Sequence, residues 1–236
     1  MLGDRSTLRL LTYNIHGCVG RGGIEDSERV LRVIESADAD VVALQEVHDD
    51  DAADLNFLRG LERMDYKDVI YGETLRKDFG PYGNVLMSRF PITNLERLNL
   101  SVAGAEPRGA ICATLETPFG RTHITATHLG LKCSERRRQI EQLLKRRAAG
   151  ESDCSVLMGD FNEWFPWSRN LRRIERAFSH SGKQATFPAG FPLIALDRIF
   201  VAAPRLDVVF NRIDTLTARD ASDHRPLLSE ISGRRL

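Results

Sequence analysis

Leu8-Arg9-Leu10-Leu11-Thr12-Tyr13-Asn14-Ile15-His16-Gly17 is an apolar run that turns polar at its end. Residues 8–13 read as a strand, and Asn14 and His16 follow where that strand stops. The same pattern recurs along the chain. Val41-Val42-Ala43-Leu44 is a near-continuous apolar run, which predicts a strand buried on both faces, and it ends in Gln45-Glu46. The predicted strand at 122–127 ends in His128, and the one at 154–159 ends in Gly159-Asp160-Phe161-Asn162. A strand at 197–202 opens on Asp197, and the last strand, 226–231, follows Ser222-Asp223-His224. Rigid strand ends hold polar side chains where ligands gather, so this repetition marks a site.

Two further strands are predicted at 84–88 and 110–116. Residues 26–37 have helical spacing, with Val30, Val33 and Ile34 on one face and Asp26 or Ser27 as N-cap. A second helix is expected at 134–148, with Ile140, Leu143 and Leu144 turned inward, and a third near 169–178. Gly20 to Gly23, Phe90-Pro91, Glu106 to Gly109 and Phe187 to Pro192 carry turn residues. Alternating strands and helices with no long linker predict an α/β fold in a single domain, 1–236.

The 236 residues hold 33 Lys+Arg and 33 Asp+Glu, a formal net charge of zero. That balance argues against a generally basic surface for sequence-blind nucleic-acid binding, while leaving room for a local basic patch. Cys18, Cys112, Cys133 and Cys154 form no CxxC pair, so reduced thiols are expected rather than disulfides or a zinc site. The N-terminal residues lack the apolar stretch of a signal peptide, and no run approaches a membrane span. A soluble, cytoplasmic protein, acting as a monomer, is the expectation.

The motifs TYNIHG (12–17), LQEV (44–47), YGNVLMSRFPI (82–92), THLGL (127–131), GDFNEW (159–164), LDRIFV (196–201) and SDHRPL (222–227) resemble, in this order, those of the endonuclease/exonuclease/phosphatase superfamily. The resemblance implies a DNase I-like four-layer α/β/β/α sandwich of two mixed β-sheets, with the site at one edge. It also implies hydrolysis of phosphodiesters or phosphomonoesters with a divalent metal, usually Mg²⁺, with Mn²⁺ as a substitute. Within that superfamily, TYNIHGCVG, EPRGA and TFP before LDRIFV look like compact bacterial hydrolases. Apurinic-site repair enzymes usually carry Tyr where His128 stands, and inositol polyphosphate 5-phosphatases a WCDR-type motif in place of Leu196-Asp197-Arg198.

The residue types suit that chemistry. Mg²⁺ prefers oxygen ligands and few carboxylates, which makes Glu46 the best direct ligand. By resemblance, Asp223 and Asn14 complete the metal region, directly or through water. Histidine moves protons near neutrality, and the resemblance pairs His224 with Asp197; His224 is then the general base for water or a phosphate contact. Asp160 would orient or deprotonate the attacking water, Asn162 would hydrogen-bond a phosphate oxygen, and His128 would donate to one. Asp160 and Asn162 at alternate positions of an extended segment would point the same way. Asn84 has a structural or a phosphate-side role, and Arg108 is a phosphate contact or a solvated loop residue.

Other features stay open on sequence. His16 would share the face of Asn14, and His123 reads as structural. The Arg136–Arg138 and Lys145–Arg147 clusters read as a solvated helix face, with a phosphate-backbone stripe as the alternative. Trp164 and Trp167 either stack on a base, line an apolar pocket or pack under their loop. The substrate is a phosphodiester, in a lipid head group or in nucleic acid; a monoester, or silent phosphate binding on the same fold, is the alternative.

Overall fold

The opening run forms β1 (Thr7–Asn14), and its side chains alternate between two cores, Leu8 and Leu10 on one side and Leu11 and Tyr13 on the other. A strand buried on both faces in this way must lie inside a layered fold. The computed structural model describes residues 7–48, 57–77, 80–148 and 152–233. After β1 come α1 (Ser27–Ala37), β2 (Val41–His48), α2 (Phe57–Glu62), β3 (Asp68–Lys77), β4 (Gly80–Ser88), β5 (Ile92–Asn99) and β6 (Gly109–Thr117). Then follow β7 (Gly120–His128), α3 (Cys133–Ala148), β8 (Cys154–Asp160), α4 (Arg169–Glu175), β9 (His180–Ser181), β10 (Asp197–Ala202), β11 (Leu206–Arg212), α5 (Leu216–Ala221) and β12 (Leu227–Gly233).

The strands make two six-stranded mixed sheets, ordered β11-β12-β1-β2-β4-β3 and β5-β6-β7-β8-β10-β9. Each sheet has one parallel pair at its centre, β1 with β2 and β7 with β8. A parallel pair needs a crossover, and α1 and α3 supply the two. Leu10, Val41 and Leu86 of the first sheet meet Ile124, Val156 and Ile199 of the second in the central core. Val30, Val33 and Ile34 of α1 cover the outer face of the first sheet, and Ile140, Leu171 and Ile174 of α3 and α4 cover that of the second. The result is the expected α/β/β/α sandwich.

The sequence predicts the eight inner strands and misses β3, β5, β9 and β11, which are the edges of the two sheets. Edge strands carry polar and charged side chains, as in Ile92–Asn99 (ITNLERLN), so they lack a buried signature. The six-residue helices α2 and α5 are also unforeseen. Asp26 is the N-cap of α1, accepting from the Arg29 N–H at 2.8 Å. Leu144 is only partly buried, at the margin of the outer core.

Two local expectations are corrected. β2 does not end at Glu46; it runs on to His48, and Glu46 sits in a bulge between Leu44 and Val47 with φ of 57°. Asn162 does not continue an extended segment, because its φ is 49°. The bulge and the turn re-aim both side chains toward one edge of the sandwich. Among the described residues no helix is long and apolar enough to cross a membrane. The four cysteines are unbridged.

Strands β7 and β8 approach so closely at Gly159 that a Cβ there would lie 1.8 Å from the Thr127 carbonyl oxygen. Gly159→Ala is expected to lower stability by about 3 kcal/mol through this overlap. Gly233→Ala, which meets no atom within 4 Å, serves as the control in urea denaturation. Equal midpoints for the two variants would refute the close-approach account.

Candidate active site

Asn14 ends β1 and is buried, and its amide NH₂ donates to two carboxylates, Glu46 Oε1 at 2.9 Å and Asp160 Oδ2 at 3.0 Å. Its Oδ1 accepts the His16 N–H at 3.0 Å. Its carbonyl is thereby engaged, and its donor group spaces the two acids. Asp160 closes β8, and its other oxygen accepts the Asn162 N–H at 2.8 Å, the hydrogen bond that folds the turn. Asn162 Nδ2 then donates to Leu129 O and contacts His128 Nε2, each at 3.0 Å.

Asp197 begins β10 directly opposite Asp160 in the antiparallel register. It is fully buried, and its Oδ2 accepts from Thr186 Oγ1 at 2.6 Å and pairs with His224 Nδ1 at 2.7 Å. Its Oδ1 is buried without a hydrogen-bond partner. The far side of the His224 ring faces two carboxylates, with Nε2 3.9 Å from Asp160 and 4.0 Å from Asp223. Ser222 ties this loop to β1 through a 2.8 Å bond to the Asn14 carbonyl. Asp223 itself remains substantially exposed.

Burial would lower the proton affinity of His224, but the Asp197 carboxylate, helped by Asp160 and Asp223, outweighs it and pushes the pKa up to about 10. His128 goes the other way: burial, against the pull of Asp160 and with help from Arg108 and His224, takes it down to about 3. One histidine is thus a cation near neutrality and the other is neutral. The neutral ring can accept from Asn162, whose amide is oriented by its bond to Leu129 O.

Glu46, Asp160, Asp197 and Asp223 therefore crowd one edge, and among the described residues none of them pairs with a Lys or Arg. Closely spaced acids with only histidines as counter-charge suit a hard divalent cation bound through oxygen. The orphaned Asp197 Oδ1 also lies in this region. The residues present fit a metal.

Residues 11–224 match the sequence model of the Endonuclease/Exonuclease/phosphatase family. The chain belongs to that family. YbhP of Escherichia coli (strain K12) is 29% identical over 248 residues, which cover 95% of this chain and 96% of that protein. An endonuclease/exonuclease/phosphatase structure from Beutenbergia cavernae DSM 12333 superposes with a TM-score of 0.74 at 26% identity, covering 96% of this chain and 72% of that one. The human Nocturnin catalytic domain with bound sulfate anion shares the fold, with a TM-score of 0.76 at 21% identity over 97% of this chain and 94% of that one. The endonuclease/exonuclease/phosphatase family is one of phosphate-ester hydrolases, and its members typically use a divalent metal.

Set against the family motifs, Asn14, Glu46, His128, Asp160, Asn162, Asp197, Asp223 and His224 all gather at one edge. Asn84 and Arg108 lie beside it, both buried, lining a cleft of about 200 Å³ with Gly72, Thr74, Arg97 and Ser101. Arg108 pairs with Glu106, and its Nε has no partner. His16 stands at the margin of the site, its Nδ1 3.1 Å from Val19 O and 3.7 Å from Asp223 Oδ1. Arg136 is not on a solvated face; it is buried against Glu163. Trp164 and Trp167 do not pack under their loop, being 49% and 65% exposed.

Three contributors escape the sequence reading. Thr186 holds Asp197, Phe187 packs its ring 5.0 Å from that of His224, and burial together with the Glu46 carboxylate raises the pKa of the Tyr82 hydroxyl. Thr186 and Phe187 stand in the quoted TFP signature and Tyr82 in YGNVLMSRFPI, so the signal was present without a role.

Because the folded pKa of His224 lies above its ordinary 6.5, the Asp197–His224 pair stabilises the fold fully below pH 6.5, and that contribution is lost as pH rises through about 10. Asp197→Asn removes the main group holding the proton on. In the metal-free protein, NMR titration is expected to find the His224 pKa well below the wild-type value. An unchanged titration would mean that Asp197 does not set it.

Proposed function

We propose that this protein is a divalent-cation-dependent phosphodiesterase, acting on a diester of a lipid head group or of nucleic acid. The observation that carries the reading is the set of Glu46, Asp160, Asp197 and Asp223 around His224, without Lys or Arg partners among the described residues. Glu46 and Asp223 would hold Mg²⁺ or Mn²⁺ at the more open side of the site. The bound cation would supply Lewis-acid polarisation of a phosphate oxygen and stabilise the leaving oxygen.

The three ligand atoms of Asp160, Asp197 and His224 also lie within 4.8 Å of one another. We read them as a proton-handling group, because His224 Nδ1 is already taken by Asp197 at 2.7 Å. Asp197 fixes the ring so that Nε2 faces the reacting phosphate. Asp160, anchored by Asn14 and by the Asn162 N–H, orients the water and draws its proton as the water oxygen attacks phosphorus. The ester P–O bond on the far side breaks, and the proton drawn by Asp160 returns through solvent to the leaving oxygen, which restores the carboxylate. The His224 cation stabilises the charge that builds on the phosphate. Asn162 and neutral His128, bonded to each other and with Asn162 also held by Leu129 O, wall the site beside it. Each would donate to a phosphate oxygen only by exchanging that bond. Asn14 acts through the two acids it spaces. Asn84 and Arg108 would bind the portion of substrate that enters the neighbouring cleft. One domain, acting as a monomer in the reducing cytoplasm, carries all of these groups.

Hydrolysis of bis-p-nitrophenyl phosphate and of p-nitrophenyl phosphate, each with Mg²⁺, Mn²⁺ or EDTA, tests the reading. Metal-dependent release from the diester is expected; release from the monoester alone would make it a phosphatase, and silence in both would favour a binding protein. His224→Ala is expected to reduce diester turnover by a factor of about 10² to 10⁴ with folding intact. Retained turnover would remove His224 from the chemistry. Glu46→Gln should raise the Mg²⁺ concentration needed for half-maximal rate, and an unchanged metal titration would sink that ligand assignment.

A further inference from the structure

Loops 129–132, 161–167 and 187–196 all leave the same edge of the second sheet. His128 pairs with Asp160 in the parallel register, and Asp160 with Asp197 in the antiparallel one, which puts the three exits side by side. These loops carry Leu131, Trp164, Phe165, Trp167, Phe191 and Leu193, each 49% to 74% exposed. Among the described residues, that is six of the nine large hydrophobic side chains left in solvent. Such a concentration beside one opening departs from the scattered exposure of ordinary surfaces.

The loops are fixed to one another. The Arg136 guanidinium holds the carbonyls of Gly130 at 3.2 Å and Leu131 at 2.5 Å together with the Glu163 carboxylate at 3.3 Å. The Trp164 ring lies 5.8 Å from that of Phe187, which packs on His224. The apolar rim is therefore continuous with the catalytic edge.

We propose that this rim docks on an anionic phospholipid bilayer, presenting head-group phosphodiesters to the site. The choice of head group rests on the phosphodiesterase reading above; the docking does not. Tryptophan and phenylalanine beside aliphatic side chains suit the boundary between head groups and acyl chains. The charge of the rim matches as well. Segments 129–134, 164–170 and 187–195 contain no Asp or Glu, and within them Arg169 stands exposed, as does Lys132, 3.9 Å from Glu135. Cations close to the surface add attraction for acidic lipids.

A single nucleic-acid strand needs a basic groove that tracks its backbone as well as rings to stack on. Of the arginines nearest the rim, Arg136 is tied to Glu163 and Arg173 to Glu141.

The test is co-sedimentation of the full chain with phosphatidylglycerol/phosphatidylcholine vesicles, alongside tryptophan emission. Binding with a blue shift is expected, weaker on pure phosphatidylcholine. Phe165→Ser/Trp167→Ser should cut vesicle partitioning by about tenfold or more, while hydrolysis of bis-p-nitrophenyl phosphate stays at the wild-type rate. A second variant, Phe191→Ser, reports on the opposite loop if the first fails to fold. Wild-type protein that ignores the vesicles, or binding unchanged in both variants, overturns the proposal. So does a rim-dependent dimer in sedimentation, or rim-dependent retention of a single-stranded oligonucleotide without vesicle binding. Vesicle binding without diester hydrolysis would leave the docking surface standing and remove the phosphodiesterase reading.

Discussion

A buried carboxylate has to be satisfied, and Asp160 is satisfied from the opposite sheet. Its Oδ2 accepts from Asn14, 146 residues away in the chain, at 3.0 Å. Asp197 makes the second crossing, from β10 to His224 just before β12. The two sheets otherwise meet through aliphatic side chains such as Leu10, Val156 and Ile199, which have no directional preference. The polar crossings are directional, and each leaves an expensive unpaired group if it is missed. They fix how the sheets meet at one edge, and that edge is the candidate active site.

The same crossings set the electrostatics. Packing His224 against Asp197 and near Asp160 and Asp223 makes it a cation, while deeper burial near Arg108 makes His128 neutral. Two identical side chains thus acquire different protonation at one pH from their surroundings alone. The acids left without Lys or Arg partners give this edge a need for positive charge, which a divalent cation would meet in a family of phosphate-ester hydrolases. The exposed rim of Trp164, Phe165 and Trp167 belongs to the loop that follows Asn162, so the turn that builds the site also pushes these rings outward.

Legibility of the fold followed burial. Inner strands such as β2 and β8 announce themselves because both faces are apolar, as in Val41–Leu44 and Cys154–Met158. Edge strands such as β3 and β5 have one open side and polar residues such as Glu73, Arg76, Glu96 and Arg97, and a run of that kind reads as loop. Their strand character comes from the neighbour they pair with, which no local window contains. Asn84 and Arg108 were harder still, since a buried cleft residue and a solvated loop residue look alike in sequence.

By itself the sequence determined an α/β chain with its inner strands, the helices at 26–37 and 134–148 and the order of polar motifs at strand ends. Those features are written in period-2 and period-3.6 patterns or in adjacent residues, so short-range physics is enough to read them. The two-sheet layering was implied only by the family resemblance of those motifs. Only the tertiary structure decided that Glu46 sits in a bulge within β2, that Asn14 spaces two acids, and that Thr186 holds Asp197. It also decided that Arg136 is buried and that Trp164 and Trp167 face solvent. Each of these depends on which distant residue arrives at the same place, and that is settled when the two sheets close on each other.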